Sequence, residues 1–264
     1  MMGMLRRTLF LFALLACCPL AALAESLDDY YLRQFANLKG SPDRSILAQA
    51  TTSTGDLEGY CLTPLYHGVR RDWNKLSPGT RQTLAKSLAK PLLSNSFLSV
   101  QGHFMIHYNA IGPDAPPPDD VSGIIGVPDW VETVASEFEF AYSRETGQTA
   151  LAYNPAPTLA GAPYDVYLQD IADTRRQFGY TDSDTPVAPG STSYTSYIVI
   201  DNDFANPIYA PYTGIRGLQI TAAHEYHHAI QYGYNYYFEI WFAEATSAWM
   251  EDEVYDSINQ LYTY

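Results

Sequence analysis

Apolar and polar positions recur along this chain with periods that change from element to element. Phe104, Ile106 and Tyr108 alternate with His103, Met105 and His107, the two-residue period of a strand with one buried face. Residues 164–171, carrying Val166, Leu168 and Ile171, and residues 194–200, rich in β-branched and aromatic side chains, predict two more strands. Leu84, Leu88 and Leu92 recur every four residues and predict a helix over 78–93. Val131, Val134, Ala135, Phe138 and Tyr142 form the apolar stripe of a helix over 127–142, with Pro128 in its first turn. The four prolines within 112–120 and the Pro/Gly/Ser/Asp-rich stretch 181–193 predict loops. A helix over 215–232 stopped by Gly233 and a last helix over 240–255 complete the pattern. With strands first, two helices last and no internal repeat, the expected class is α+β.

The N-terminus has a separate logic. Arg6 and Arg7 precede a short apolar run that ends at Ala22-Leu23-Ala24. This is the pattern of a secretory signal peptide over 1–24, too short to remain as a membrane span. Leu14-Leu15-Ala16-Cys17 offers the alternative of a lipoprotein anchored at Cys17; both readings export the protein. Beyond it the sequence predicts no transmembrane segment. Residues 25–95 are polar and mixed and read as an N-terminal arm or propeptide-like region, leaving 96–264 as the main domain. The 264-residue chain carries 29 acidic against 15 basic side chains, a net charge of −14. Such a surface repels nucleic acid and anionic lipid and argues against either as a partner. Past the leader only Cys61 remains, so no internal disulfide is expected and the thiol reads as buried and inert.

The chemistry concentrates in Thr221-Ala222-Ala223-His224-Glu225-Tyr226-His227-His228. Within it, His224, Glu225 and His228 fit H-E-x-x-H. Side chains four apart on a helix stand on one face, roughly 5–6 Å apart at Cβ. One zinc ion, bonded to imidazole nitrogen at about 2.0–2.1 Å, bridges such a pair. Glu225 lies off that stripe, placed to take a proton from an attacking water without ligating the metal. Thr221, His224, His228 and Gln231 form one polar stripe, with Leu218, Ala222 and Ile230 as apolar surface elsewhere. A third ligand is expected from the last helix, where Glu244 lies among small and apolar residues in which an unpaired carboxylate is costly. Trp241, Ala245 and Trp249 form a row that would pack that helix in place. Glu251, on the same face, is the reserve ligand.

His224-Glu225-x-x-His228 followed by Glu244-Ala245-x-Ser247 resembles the gluzincins, the thermolysin-like zinc peptidases. The resemblance implies a zincin-like domain: a mixed sheet with an active-site helix and a following glutamate-bearing helix. It implies His224, His228 and Glu244 as ligands of Zn2+, and Glu225 as general base in hydrolysis of a peptide or protein substrate, most simply as an endopeptidase. Run 220–252 also looks like secreted bacterial metallopeptidases. The family places an aspartate four residues after the glutamate ligand to orient a zinc histidine; here that position is Ala248, with Asp252 one turn later as a substitute. Gluzincins also continue into a further subdomain, so the chain reads as truncated at its C-terminus. Tyr232, Tyr234, Tyr236 and Tyr237 are candidates to line the site.

Other candidates carry plainer expectations. His103 and His107 are four apart on a strand, about 13 Å, too far to share an ion, and read as structural. His227 points off the metal stripe. Asp201-Asn202-Asp203 could hold a structural Ca2+, but a turn after the strand is the better reading, because calcium takes six to eight oxygens. The competing functional class is an exported, non-catalytic zinc-binding or structural module. Its mark would be a fourth protein ligand closing the metal's shell.

Overall fold

The computed structural model describes residues 25–38, 61–147, 151–172 and 177–260. The leader expected over 1–24, Cys17 included, lies outside them. Helices α1 (Leu27–Leu38), α2 (Thr63–Asp72) and α3 (Pro78–Ala85) come first, then strands β1 (Asn95–Leu98) and β2 (Phe104–Tyr108) and helix α4 (Asp129–Thr146). Strands β3 (Tyr164–Gln169), β4 (Gly179–Pro186) and β5 (Tyr194–Asp201) precede the two final helices, α5 (Ile215–Tyr234) and α6 (Ile240–Val254). The class is α+β with a five-stranded mixed sheet in the order β1-β2-β3-β5-β4. The inner pairs β2–β3 and β3–β5 are parallel, and the outer strands β1 and β4 run antiparallel to their neighbours.

Strand alternation builds two cores. Phe104, Ile106, Val166, Leu168, Ile198 and Ile200 face one way, against Val131, Val134 and Phe138 of α4 and Leu218, Ala222, Tyr226, Ala229 and Ile230 of α5. Tyr167, Tyr180, Tyr197 and Val199, one position out of phase, face the other way. They meet Tyr31 and Phe35 of α1 and Leu65, Tyr66 and Val69 of α2. A one-residue period shift thus gives a sheet covered on both faces. The described parts of 25–95 are therefore packed helices that cover one face of the sheet. Among the described residues no helix is long and apolar enough to cross a membrane.

Helices α1 and α2 and strand β1 form where the sequence reading placed no element, and three further elements differ from the expectation. Helix α3 stops at Ala85 rather than running to 93. Leu84 and Leu88 are buried, but Leu92 is fully exposed, because Pro91 disfavours helical backbone in the residue before it and Lys90 turns to pair with Asp165 at 2.9 Å. Residues 179–186 form strand β4 where a loop was expected. The Thr/Asp/Ser composition reads as loop, yet these polar groups are buried and bonded: Asp182 accepts from Arg70 and from the Tyr197 hydroxyl. Helix α5 runs through Gly233 to Tyr234. Gly233 does not cap it; a Cβ there would come within 2.6 Å of Pro157 Cδ, so glycine admits a close crossing of chain.

Candidate metal centre

Helix α5 buries its apolar stripe in the first core and turns Thr221, His224, His228 and Gln231 toward α6 and the edge strand β4. The two imidazoles meet at Nε2···Nε2 3.1 Å. Glu244, from α6, reaches between them, with Oε1 3.0 Å from His228 Nε2 and Oε2 3.7 Å from His224 Nε2. A fourth donor arrives from the start of the chain: Cys61 Sγ lies 3.6 Å from His228 Nε2. The four donor atoms lie within 4.8 Å of one another, so this buried group could hold a metal ion. A tetrahedral shell with bonds of 2.0–2.3 Å has donor–donor edges of about 3.3–3.6 Å; the contacts of 3.0–3.7 Å lie near that scale, and the 4.8 Å spread of the whole group is wider than it. Glu244 Oε1 is buried and accepts no hydrogen bond, an orphaned lone pair aimed into the cluster, as a ligand oxygen requires.

The electrostatics fit the same reading. Burial raises the Glu244 carboxyl, but charge on His228 and the nearness of both histidines outweigh it and hold it well below the carboxylate range. Glu244 in turn lifts His228 to about 10 against burial. Burial pushes the Cys61 thiol up, and Glu225 and Glu244 push it further.

The outer nitrogens are also fixed. His224 Nδ1 donates to Glu251 Oε1 at 2.7 Å. His228 Nδ1 lies 2.9 Å from Gln231 Oε1, which accepts from it, and 3.2 Å from Ser247 Oγ. Both imidazoles are thereby held with Nε2 facing inward. Glu251, the reserve ligand, thus bonds the outer nitrogen of His224 and does not join the four inward donors. Glu225 lies on the other side of the cluster, against β4. Its Oε2 accepts from Thr181 Oγ1 at 2.8 Å and Thr63 Oγ1 at 3.2 Å. Gly179 permits this approach: a Cβ there would sit 3.0 Å from Thr221 Cγ2 and 3.2 Å from Glu225 Cγ. A cavity of about 20 Å³ bounded by Cys61, Thr221, His224, Glu225 and Glu251 admits a single water.

The remaining candidates fall elsewhere. His103 pairs with Glu139 and stacks on Tyr142; His107 pairs with Asp165 and stacks on Tyr167. His227 bonds to the buried Glu145 of α4 at 2.9 Å. Asp201 accepts from the backbone of Ile171, Asp203 and Phe204 and from the Tyr209 hydroxyl, so the Asp201–Asp203 cluster is a bonded turn and presents no cage of free oxygens for calcium. Tyr232 is buried with its hydroxyl 3.2 Å from His67, while Tyr234 and Tyr237 are exposed. Trp241 and Trp249 do not pack α6 in place; they are 69% and 40% exposed. The helix is held through Ala243, Ser247, Met250, Glu251 and Val254. Cys61 was missed as a donor because it lies 167 positions from His228; its one signal is being the single cysteine outside the first 24 residues.

Comparison of the chain with protein families, with curated proteins and with solved structures gave no match in any of the three.

Proposed function

We propose that this chain is an exported zinc metallopeptidase of gluzincin type on a zincin-like domain, cleaving internal peptide bonds of protein substrates. The observation that carries the reading is the convergence of His224 and His228 of α5 with Glu244 of α6, and Glu225 fixed beside the histidines on α5. The imidazole, carboxylate and thiol donors suit zinc among common divalent ions. When bound, zinc supplies Lewis-acid polarisation of a carbonyl oxygen and brings the pKa of a water to about 7. Glu225, aimed by the Thr181 hydroxyl, takes the proton from the attacking water and returns it to the leaving amine. Glu251 and Gln231 keep both imidazoles in the orientation that ligation needs. The test is Glu225→Gln: it should retain one zinc per chain and lose digestion of casein. Undiminished proteolysis by that variant would sink the mechanism.

One observation favours a second reading, an exported non-catalytic zinc module. Cys61 makes a fourth protein donor, and a structural zinc has four protein ligands and no open position. Casein digestion with and without a chelator separates the two, provided it is also measured on a chain from which the Cys61 thiol has been removed.

A further inference from the structure

The segment from Cys61 to Thr63 does three things at one place. Its thiol lies at the metal donors, 3.6 Å from His228 Nε2. Its backbone and a side chain lie along the outer edge of β4: Leu62 N donates to Gly179 O at 3.1 Å, and Thr181 N donates to Thr63 Oγ1 at 2.8 Å. The Thr63 hydroxyl donates to Glu225 Oε2 at 3.2 Å. The edge groups of an outer strand are where an extended peptide adds to a sheet. A substrate that reached the centre along β4 would need Gly179 O and Thr181 N, and both are taken.

We propose that Cys61–Thr63 is a built-in inhibitory segment, which holds the zinc centre latent with its thiolate as fourth ligand while it covers the β4 edge and engages the Glu225 carboxylate. This rests on the peptidase reading of the same centre. A purely structural thiolate would need only the first of the three contacts; occupation of the base and of the sheet edge adds nothing to holding an ion. The segment is fixed from both sides, with Leu62 itself in the second core. Thr63 N donates to Cys61 Sγ at 3.3 Å, and Thr63 opens α2, which carries Leu65 and Val69 into the second core. Latency is relieved when the segment withdraws from β4: the thiolate takes a proton from solvent, and the ligand position and the Glu225 carboxylate are freed together.

The experiment compares the intact chain with Cys61→Ala and with Cys61→Ala/Glu225→Gln, each loaded with zinc for assay and with cobalt for spectroscopy. Cobalt in the intact chain should give a near-ultraviolet thiolate-to-metal charge-transfer band that Cys61→Ala lacks, while both bind one ion per chain. Cys61→Ala cuts the tether by which the ion keeps Leu62 and Thr63 on β4 and Glu225, and should digest casein at least about tenfold faster than the intact chain, as expected when a blocked state holds about nine-tenths of the molecules; the double variant should be inactive. Absence of the band in the intact chain overturns the thiolate ligand. Equal digestion by the intact chain and Cys61→Ala overturns latency while leaving the peptidase reading in place. A thiolate band with no digestion by either form overturns both and makes Cys61 a structural ligand.

Discussion

Glu251 carries the clearest residue-scale test, because its two possible roles predict different outcomes. As a bystander it would be silent on removal. As the acceptor of the His224 Nδ1 proton at 2.7 Å it fixes the tautomer and ring angle of a ligand, and such partners are worth about 10–100-fold in metal affinity. Glu251→Gln should therefore weaken zinc binding by about tenfold in competition with a chromophoric chelator. It should leave the cobalt–thiolate band in place, since Cys61 is untouched. Unchanged affinity would return Glu251 to the bystander role. The ligand pair and the base were legible in the sequence because a helix converts a spacing of four into a shared face, a local rule. Glu244 was legible because a carboxylate among small apolar residues needs a partner. The roles of Cys61 and Glu251 were not, since the first depends on where the chain returns to after more than 160 residues, and the second on the rotation of α6 about its axis.

Among the elements, β4 decides how the early helices are tied to the site. Its Asp182 is fully buried and accepts from Arg70 of α2 through Nε and Nη2, the shortest contact being 2.6 Å. The Tyr197 hydroxyl adds a further bond. Burial still leaves the Asp182 carboxyl raised above its ordinary value despite these partners. Removing the guanidinium strands a buried charge, which costs about 3–5 kcal/mol. Arg70→Met should accordingly lower stability by about 3 kcal/mol in urea unfolding at neutral pH. The sign of the pH dependence follows from the raised carboxyl. With Arg70 gone its folded pKa rises further, so the deficit is full above that pKa and fades as the pH falls through it, when Asp182 is buried neutral. A deficit that grows toward acid pH would contradict this account. The same strand explains a gap in legibility: β2, β3 and β5 advertise themselves by alternation and β-branching, but Thr181, Asp182 and Ser183 look like loop until Arg70, Glu225 and Tyr197 are in place to satisfy them. Pro91 explains the shortened α3, a local signal that the leucine period overrode.

On the scale of the whole molecule the metal centre is a junction between α2, held in the second core, α5, held in the first, and α6, whose Val254 packs in a third small cluster with Ala141, Ala223 and Tyr255. Cys61 enters from the segment before α2, the histidines from α5 and Glu244 from α6, and none of these donors belongs to either apolar cluster. The sheet and its two helical layers thus have their own driving force, unlike small domains whose folding free energy is the metal's. Removing the ion should loosen the junction and leave the fold standing. Zinc at a hundredfold over its dissociation constant stabilises by about 2.7 kcal/mol, and about 1 kcal/mol shifts the midpoint of a domain of this size by about 2–4 °C. Thermal unfolding after chelation should therefore show one cooperative transition, lowered by about 5–10 °C. Cys61→Ala should show a smaller shift, because its ion bridges only α5 and α6 and no longer reaches the chain ahead of α2. Loss of the transition altogether on chelation would mean that the ion organises the fold and would favour the structural module. An unmoved midpoint would mean that these four side chains bind no ion in solution.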